Sequence, residues 1–155
     1  MTPSLSRRAL LSGLALGAVA APLAGAVTAQ AAMETITFTV PLTGAAQVPP
    51  VKTAGHGSAH LTYDEKTRHI TWSVSYAGLS SPVTMAHFHM APPGKNGKVV
   101  LWLTKKGAKI KSPFTGSATL TPAEAKAFMA GDLYVNVHTR KHPAGELRGQ
   151  IKPPM

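Results

Sequence analysis

Apolar residues occupy every second position in three segments of the chain, 35–40, 59–63 and 70–76, with mostly Thr, Ser or His between them. Successive side chains of a β-strand point to opposite faces, so this alternation predicts half-buried antiparallel strands. The short polar connection 64–67 predicts that the second and third segments pair as a hairpin. Five further strand candidates lie at 84–90, 99–103, 115–120, 132–138 and 146–151. The pattern therefore predicts about eight strands.

One segment departs from this alternation. Thr121 offers a capping hydroxyl, Pro122 stands at the first helical position, and Glu124 follows three residues after the cap. Good helix formers continue to Met129 and Gly131 follows, so a single short helix is predicted here. Prolines and glycines at 49–50, 92–94 and 143–145 mark loops between strands. The fold class is therefore all-β, a β-sandwich or Greek-key barrel of about eight strands with one short helix.

Positions 1–31 have the features of an export signal. Arg7 and Arg8 precede an apolar run, 9–27, which is interrupted by glycines and a proline. Such a run is too dilute to predict a transmembrane anchor, and the arginine pair is typical of a twin-arginine signal, although Sec export remains open. Ala29-Gln30-Ala31 offers a cleavage site. The mature chain is then one domain, 32–155, in a periplasmic or extracellular location.

Composition narrows the chemistry. The chain has no cysteine, which excludes disulfides, thiolate metal sites and a cysteine nucleophile. Its six acidic residues are scattered, so a calcium or magnesium cluster is not expected. Sixteen Lys and Arg give a formal net charge of +10, and Lys105, Lys106, Lys109 and Lys111 lie in one segment. That segment could meet an anionic polymer or a protein partner, but it contains no interleaved aromatic residue, so nucleic acid is not expected.

Histidines provide the strongest candidate site. His87 and His89 share one face of a predicted strand, with Cα atoms about 6.6 Å apart, while Phe88 between them faces the core. On the strand 132–138 the same alternation places His138 on the outward, solvent-facing side. If the two strands are neighbours, His138 can supply a third ligand to one metal ion.

Two residues near this pair are possible fourth ligands. His142 follows His138 by four positions, and Met85 lies on the same strand face as His87. Imidazoles without thiolate or carboxylate suit copper, zinc or nickel, and a thioether would favour Cu(I). The alternative is that the three histidines are ordinary polar positions on a solvent-exposed face. His56, His60 and His69 are not expected to be ligands, and no hydrolase motif or carboxylate pair is evident.

Four separated blocks resemble the CHRD domain family, which is named after chordin. They occur in the family's order and cover essentially the whole mature chain: Leu42–Val51, Gly57–Ala59, Ala86–Gly94, and Tyr134–Thr139 with Pro143–Ile151. Phe88 replaces the usual aliphatic residue of the A-H-I-H strand, and Leu147 replaces the usual isoleucine of the last block. The resemblance implies an exported domain whose biochemical role is mostly unassigned.

A second and more distant resemblance is to the copper/zinc superoxide dismutase fold. It implies an immunoglobulin-like Greek-key sandwich in which His87, His89 and His138 match copper ligands and Arg148 matches an arginine that attracts an anionic substrate. The bridging histidine, the zinc ligands and the disulfide of that fold have no counterpart here. The sequence thus predicts a copper-binding module outside the cytoplasmic membrane. The alternatives are a protein- or polymer-binding domain without metal and, less favoured, a dismutase-like redox enzyme.

Overall fold

A computed structural model of the chain describes residues 35–154. The predicted export signal and its cleavage site lie outside these residues. The structure has eight strands and one helix: β1 (Thr35–Thr43), β2 (His56–Asp64), β3 (His69–Ala77), β4 (Val83–Met90), β5 (Lys98–Trp102), β6 (Phe114–Thr119), α1 (Pro122–Met129), β7 (Leu133–Thr139) and β8 (Leu147–Gln150). Within residues 35–154, no helix is long and apolar enough to cross a membrane. All eight strands and the helix occur where the sequence predicts them.

The eight strands form one antiparallel sheet in the order β5-β4-β7-β8-β1-β2-β3-β6. β1 and β8 are joined at a single register position, Thr43 opposite Arg148, so the sheet consists of two four-stranded halves. The chain crosses from one half to the other between β3 and β4, back between β5 and β6, and again between β6 and β7. These crossings are the Greek-key connections that an all-β sandwich or barrel requires, which confirms the predicted fold class.

The sheet curls so that the two halves enclose one core. Trp72 of β3 and Phe88 of β4 belong to opposite halves, yet their ring centroids are 6.1 Å apart. The Trp72 indole N–H also donates to the Leu103 carbonyl oxygen at 3.1 Å. Both side chains are buried, and Phe88 has no exposed surface. The alternating apolar residues of every strand therefore face a shared interior.

Register follows from the alternation, as predicted. β1 pairs with β2 over nine positions, and β2 pairs with β3 from His56 opposite Ala77 to Asp64 opposite His69. The predicted hairpin is thus present, and its turn is held by Thr67 N–H, which donates to Asp64 at 2.8 Å. A slip of one residue would turn the apolar set outward, which is why the hydrophobic pattern is enough to fix this part of the fold.

Helix α1 closes one end of the core. Its capping box is complete: Glu124 N–H donates to the Thr121 hydroxyl, and Thr121 N–H donates to the Glu124 carboxylate. Gly131 follows in the left-handed region with φ of 78°, a conformation that suits glycine. Phe128 is fully buried and its ring lies 4.6 Å from that of Tyr63. The helix is therefore specified by its own caps and attached by one aromatic anchor.

The placement of Phe88 gives a stability prediction. Replacing Phe88 by Ala should lower the free energy of unfolding by about 3–5 kcal/mol, because it leaves a cavity between β3 and β4. Val99, which is 42% exposed on β5, provides the control. Val99→Ala should change stability by less than about 1 kcal/mol. Urea denaturation of both variants measures this, and a tolerated Phe88→Ala would show that Phe88 is not part of the core.

Candidate metal centre

Strands β4 and β7 are neighbours, and their pairing collects three histidines on one face. His87 lies opposite Asn136, His89 opposite Tyr134, and Met85 opposite His138. His87, His89 and His138 each offer one ring nitrogen, and these nitrogens all lie within 4.8 Å of one another. The predicted grouping of the three imidazoles is therefore present in the geometry.

The face that carries these histidines is not exposed to solvent, contrary to the sequence-based expectation. His87, His89 and His138 are 3%, 9% and 6% exposed. Tyr134 and Asn136 on the same face are buried too. Every residue of β7 is in fact buried, on both faces of the sheet. The outward face of β4 and β7, which was expected to meet solvent, is therefore a buried polar layer covered by loops.

Two backbone carbonyls fix the orientation of two of the imidazoles. His89 Nδ1 lies 2.9 Å from the Gly97 carbonyl oxygen, and His138 Nδ1 lies 2.9 Å from the Pro143 carbonyl oxygen. A carbonyl oxygen only accepts hydrogen bonds, so Nδ1 of both rings carries the proton. In the neutral rings the lone pair then resides on Nε2. Both side chains are thereby held as Nε2 ligands, in the way that outer hydrogen bonds orient metal-binding histidines.

The third imidazole, that of His87, contacts His138 directly. His87 Nδ1 lies 3.2 Å from His138 Nε2, and the two nitrogens must share either a proton or an ion. An ion bonded at ~2.0 Å to both would make an angle of about 105°, close to tetrahedral. Nε2 of His87 and of His89 are buried and have no hydrogen-bond partner. Buried nitrogens without partners are unusual, and a lone pair directed at an ion would account for His89 Nε2.

The distances also show what binding would require. Two nitrogens bonded to one ion lie at most about 4 Å apart, whereas the widest separation among the three is up to 4.8 Å. Any pair of these nitrogens more than about 4 Å apart would have to close around an ion. Nδ1 of His89 and of His138 each donates a hydrogen bond to a backbone carbonyl, whereas His87 makes no such bond. Of the three rings, that of His87 is therefore the least restrained.

Electrostatics keep the three rings neutral. Burial lowers the pKa of His87 to about 4, with smaller contributions from His138 and His89. Burial also lowers the pKa of His89 and of His138. The positive charge of Arg148 adds to the lowering at His89. Neutral imidazole is the form that binds metals, so at neutral pH no proton has to be removed from these rings.

Arg148, predicted to attract an anion, is only 2% exposed. Its guanidinium carbon lies 3.5 Å from the centre of the Tyr134 ring, and Tyr134 in turn stacks on His89 at 4.9 Å. Its N–H groups donate to Lys95 O at 2.8 Å and to the side chains of Asn96 and Gln150. Arg148 therefore holds the β4–β5 loop that supplies Gly97. Anion attraction stays a prediction.

The possible fourth ligands differ in position. Met85 is half-buried and lies directly opposite His138, on the same strand face as His87. His142 is half-buried in the β7–β8 loop and is not part of the three-histidine group. His60 and His69 lie exposed on the other half of the sheet, where they face the Thr39 and Thr119 hydroxyls. His56 is exposed as well and faces the Ala54 carbonyl oxygen.

Several residues that cover the site were not singled out from the sequence. Gln47 donates to the Asn136 side chain at 2.8 Å, and Asn136 donates to the Ala144 carbonyl. Gly145, with φ of 122°, passes so close to Asn136 and Gln47 that a Cβ atom would collide with both. The Gly97 N–H donates to the Tyr134 hydroxyl at 3.1 Å. The one sequence feature that could have indicated this burial is the set of large hydrogen-bonding side chains at the outward positions of β7, Tyr134, Asn136 and His138.

Comparison with known proteins agrees with this layout. A family model described as the CHRD domain matches residues 38–151, a range that runs from β1 to just past β8 and contains all three histidines. No solved structure matches the chain.

A buried carboxylate anchors the β7–β8 loop beside the site. Glu146 has no exposed surface and accepts hydrogen bonds from Thr53 at 2.6 Å, Thr139 at 2.7 Å, and both the N–H and the hydroxyl of Ser80. Burial alone would raise the pKa of this carboxyl group, but the hydrogen bonds together lower it to about 2. Glu146 thus joins three connections, β1–β2, β3–β4 and β7–β8, through its charged form.

The Glu146 contacts predict a pH-dependent stability difference. The folded pKa of about 2 lies below the usual 4.5, so the stabilisation is full above pH 4.5 and is lost as pH falls towards 2. Glu146→Gln should lower the free energy of unfolding at pH 7 by about 1–3 kcal/mol. The gap between the two proteins should shrink on acidification, with Glu65→Gln on the exposed hairpin turn as the control. A gap that stays constant in urea denaturation from pH 7 to pH 3 would contradict this assignment.

Proposed function

This chain belongs to the CHRD domain family, and we propose that it is a copper-binding member that acts outside the cytoplasmic membrane. The observation that carries the proposal is the convergence of three buried, neutral imidazoles, two of them oriented by backbone carbonyls. Ordinary core histidines satisfy both ring nitrogens. Here His89 Nε2, whose lone pair a bound ion would accept, is buried without a partner.

Ligand chemistry supports copper among the candidate metals. Nitrogen ligands without thiolate or carboxylate suit copper, zinc and nickel, and copper binds most tightly in the series of divalent ions. The chain contains no cysteine that would favour a thiolate site. Structural zinc sites are almost always four-coordinate, whereas the group here contains three ligands. We propose that the protein holds or carries this ion.

The proposed location rests on the sequence of the first 31 residues. The Arg7-Arg8 pair, the apolar run after it and the Ala29-Gln30-Ala31 site are typical of an exported protein. The match to an extracellular type of domain supports the same location. The twin-arginine route carries folded proteins, so a cofactor could be inserted before export.

Copper titration tests the proposal. The purified protein should bind one copper ion, and an excess of 100 times the dissociation constant should raise stability by about 2.7 kcal/mol. His138→Gln should abolish this shift, while His60→Gln on the exposed face of β2 should keep it. The metal-free melting curve of each variant separates lost ligation from lost folding. Absence of stoichiometric binding by the unaltered protein would refute the proposal.

Fluorescence locates the bound ion independently. Trp102 is 42% exposed and its ring lies 4.1 Å from that of His87, whereas Trp72 is buried in the core. Saturating Cu(II), a paramagnetic quencher, should therefore quench Trp102 strongly, and Trp102→Phe should remove most of the quenching while leaving the stoichiometry at one ion. Quenching that survives in Trp102→Phe would place the ion elsewhere.

A second candidate function is binding of an anionic polymer or an acidic protein. The β5–β6 connection presents Lys105, Lys106, Lys109 and Lys111, all exposed. The Tyr76 hydroxyl donates to Ile110 O at 3.2 Å, and this hydrogen bond attaches the lysine-bearing loop to β3. This function needs no metal and could coexist with copper binding.

Retention on a sulfonated polymer tests the second function. Changing the four loop lysines to Gln should abolish retention at about 0.1 M salt, where the Debye length is roughly 10 Å and only charges close to the polymer contribute. The matched control changes four scattered exposed lysines, Lys52, Lys66, Lys126 and Lys152, and removes the same net charge. Equal loss of retention in both variants would show a general charge effect and no site on the loop.

A further inference from the structure

The three-histidine site supplies no negative charge. The group consists of His87, His89 and His138, with no carboxylate among them. Glu146 lies in the β7–β8 loop that follows His138, but its carboxylate is bonded to Thr53, Ser80 and Thr139. Thr139 points to the side of the sheet opposite His138, since neighbouring residues of a strand alternate. An ion at the site therefore keeps its full charge.

A fixed positive charge lies close by. The guanidinium of Arg148 stacks on Tyr134, and Tyr134 stacks on His89 with an interplanar angle of 11°. β7 lies between β4 and β8, so the aromatic ring of Tyr134 is the spacer between the ligand and the cation. Arg148 is itself buried, which limits screening of its charge by water.

Burial then discriminates between ions by charge. The Born cost of placing an ion in a low-dielectric interior scales with the square of its charge, so a dication costs about four times as much as a monocation. With three neutral ligands the complex would carry a charge of one for Cu(I) and of two for Cu(II). Repulsion from Arg148 scales with the first power of the ion's charge, so it doubles from Cu(I) to Cu(II).

Coordination number favours the same ion. The site offers three imidazole nitrogens, while Cu(II) prefers four ligands in a tetragonal arrangement. The Trp102 ring packs against that of His87, with centroids 4.1 Å apart, and adds an apolar neighbour rather than a ligand. Met85 stands opposite His138 in the strand register, and a thioether is a ligand type that selects Cu(I).

We propose that the site formed by His87, His89 and His138 selects reduced copper, Cu(I), over Cu(II) and other divalent ions. This inference rests on the proposed copper-binding function and specifies its ligand. The protein would accordingly take its ion from a source that holds copper in the reduced state.

Two competition titrations on the purified protein test the selectivity. Cu(I) is titrated without oxygen against a chromophoric Cu(I) chelator, and Cu(II) is titrated in air against nitrilotriacetate. The dissociation constant for Cu(I) should be lower by at least about 100-fold, which corresponds to a copper couple raised by about 118 mV at 59 mV per factor of ten. Equal affinities, or tighter binding of Cu(II), would overturn the inference.

A matched pair of variants tests its electrostatic cause. Met85 is half-buried beside His138, so Met85→Glu places a carboxylate near the ion and Met85→Gln places a neutral group of the same shape. The dissociation constant for Cu(II) should be at least about tenfold lower in Met85→Glu than in Met85→Gln, because only Glu supplies compensating charge. Equal Cu(II) affinities in the pair would contradict the charge argument.

Different results would refute copper binding and Cu(I) selectivity. If neither ion binds with a stoichiometry of one, or if His138→Gln binds both as well as the unaltered protein, the proposed function itself is wrong. If Cu(II) binds at the three histidines as tightly as Cu(I), the copper site stands and only the selectivity is refuted.

Discussion

Two hydrogen bonds from imidazole to backbone, His89 Nδ1 to Gly97 O and His138 Nδ1 to Pro143 O, orient the candidate metal centre of this protein. They place the proton of each neutral ring away from the site and direct both Nε2 lone pairs towards His87. Both carbonyls belong to loops, so the loops must be fixed for the site to exist. Arg148 holds the first loop and Glu146 the second.

The polar layer on the outer side of β4, β7 and β8 explains why charged residues are buried in so small a domain. Arg148 and Glu146 are both nearly inaccessible, and each is satisfied by several hydrogen bonds. A buried charge that loses its hydrogen-bond partners is destabilising, so these contacts stabilise the fold. They also fix the loops that carry Gly97 and Pro143.

Much of the fold could be predicted from the sequence because it rests on local patterns. Alternation fixed the strands, the capping residues Thr121 and Glu124 fixed the helix, and the H-x-H spacing placed His87 and His89 on one face. The grouping of His138 with this pair required β4 and β7 to be neighbours, and they pair directly in the structure. The chemistry at the site, metal binding included, remains a proposal.

The burial of the histidine face could not be predicted in the same way. The groups that cover it come from loops far away in sequence, such as Gln47, which reaches Asn136 across 89 positions. Strand periodicity tells which residues share a face but not whether a loop covers that face. For the same reason the stacking of Arg148 on Tyr134 could not be predicted, since only the folded chain brings the two side chains together.

A crystal structure of the copper-loaded protein, with anomalous scattering measured at the copper edge, tests the central claim most directly. The account predicts one anomalous peak within about 2.0–2.2 Å of His87 Nδ1, His89 Nε2 and His138 Nε2. The hydrogen bonds to Gly97 and Pro143 should remain intact. A peak at His56, His60 or His69, or none between the three rings, would contradict it.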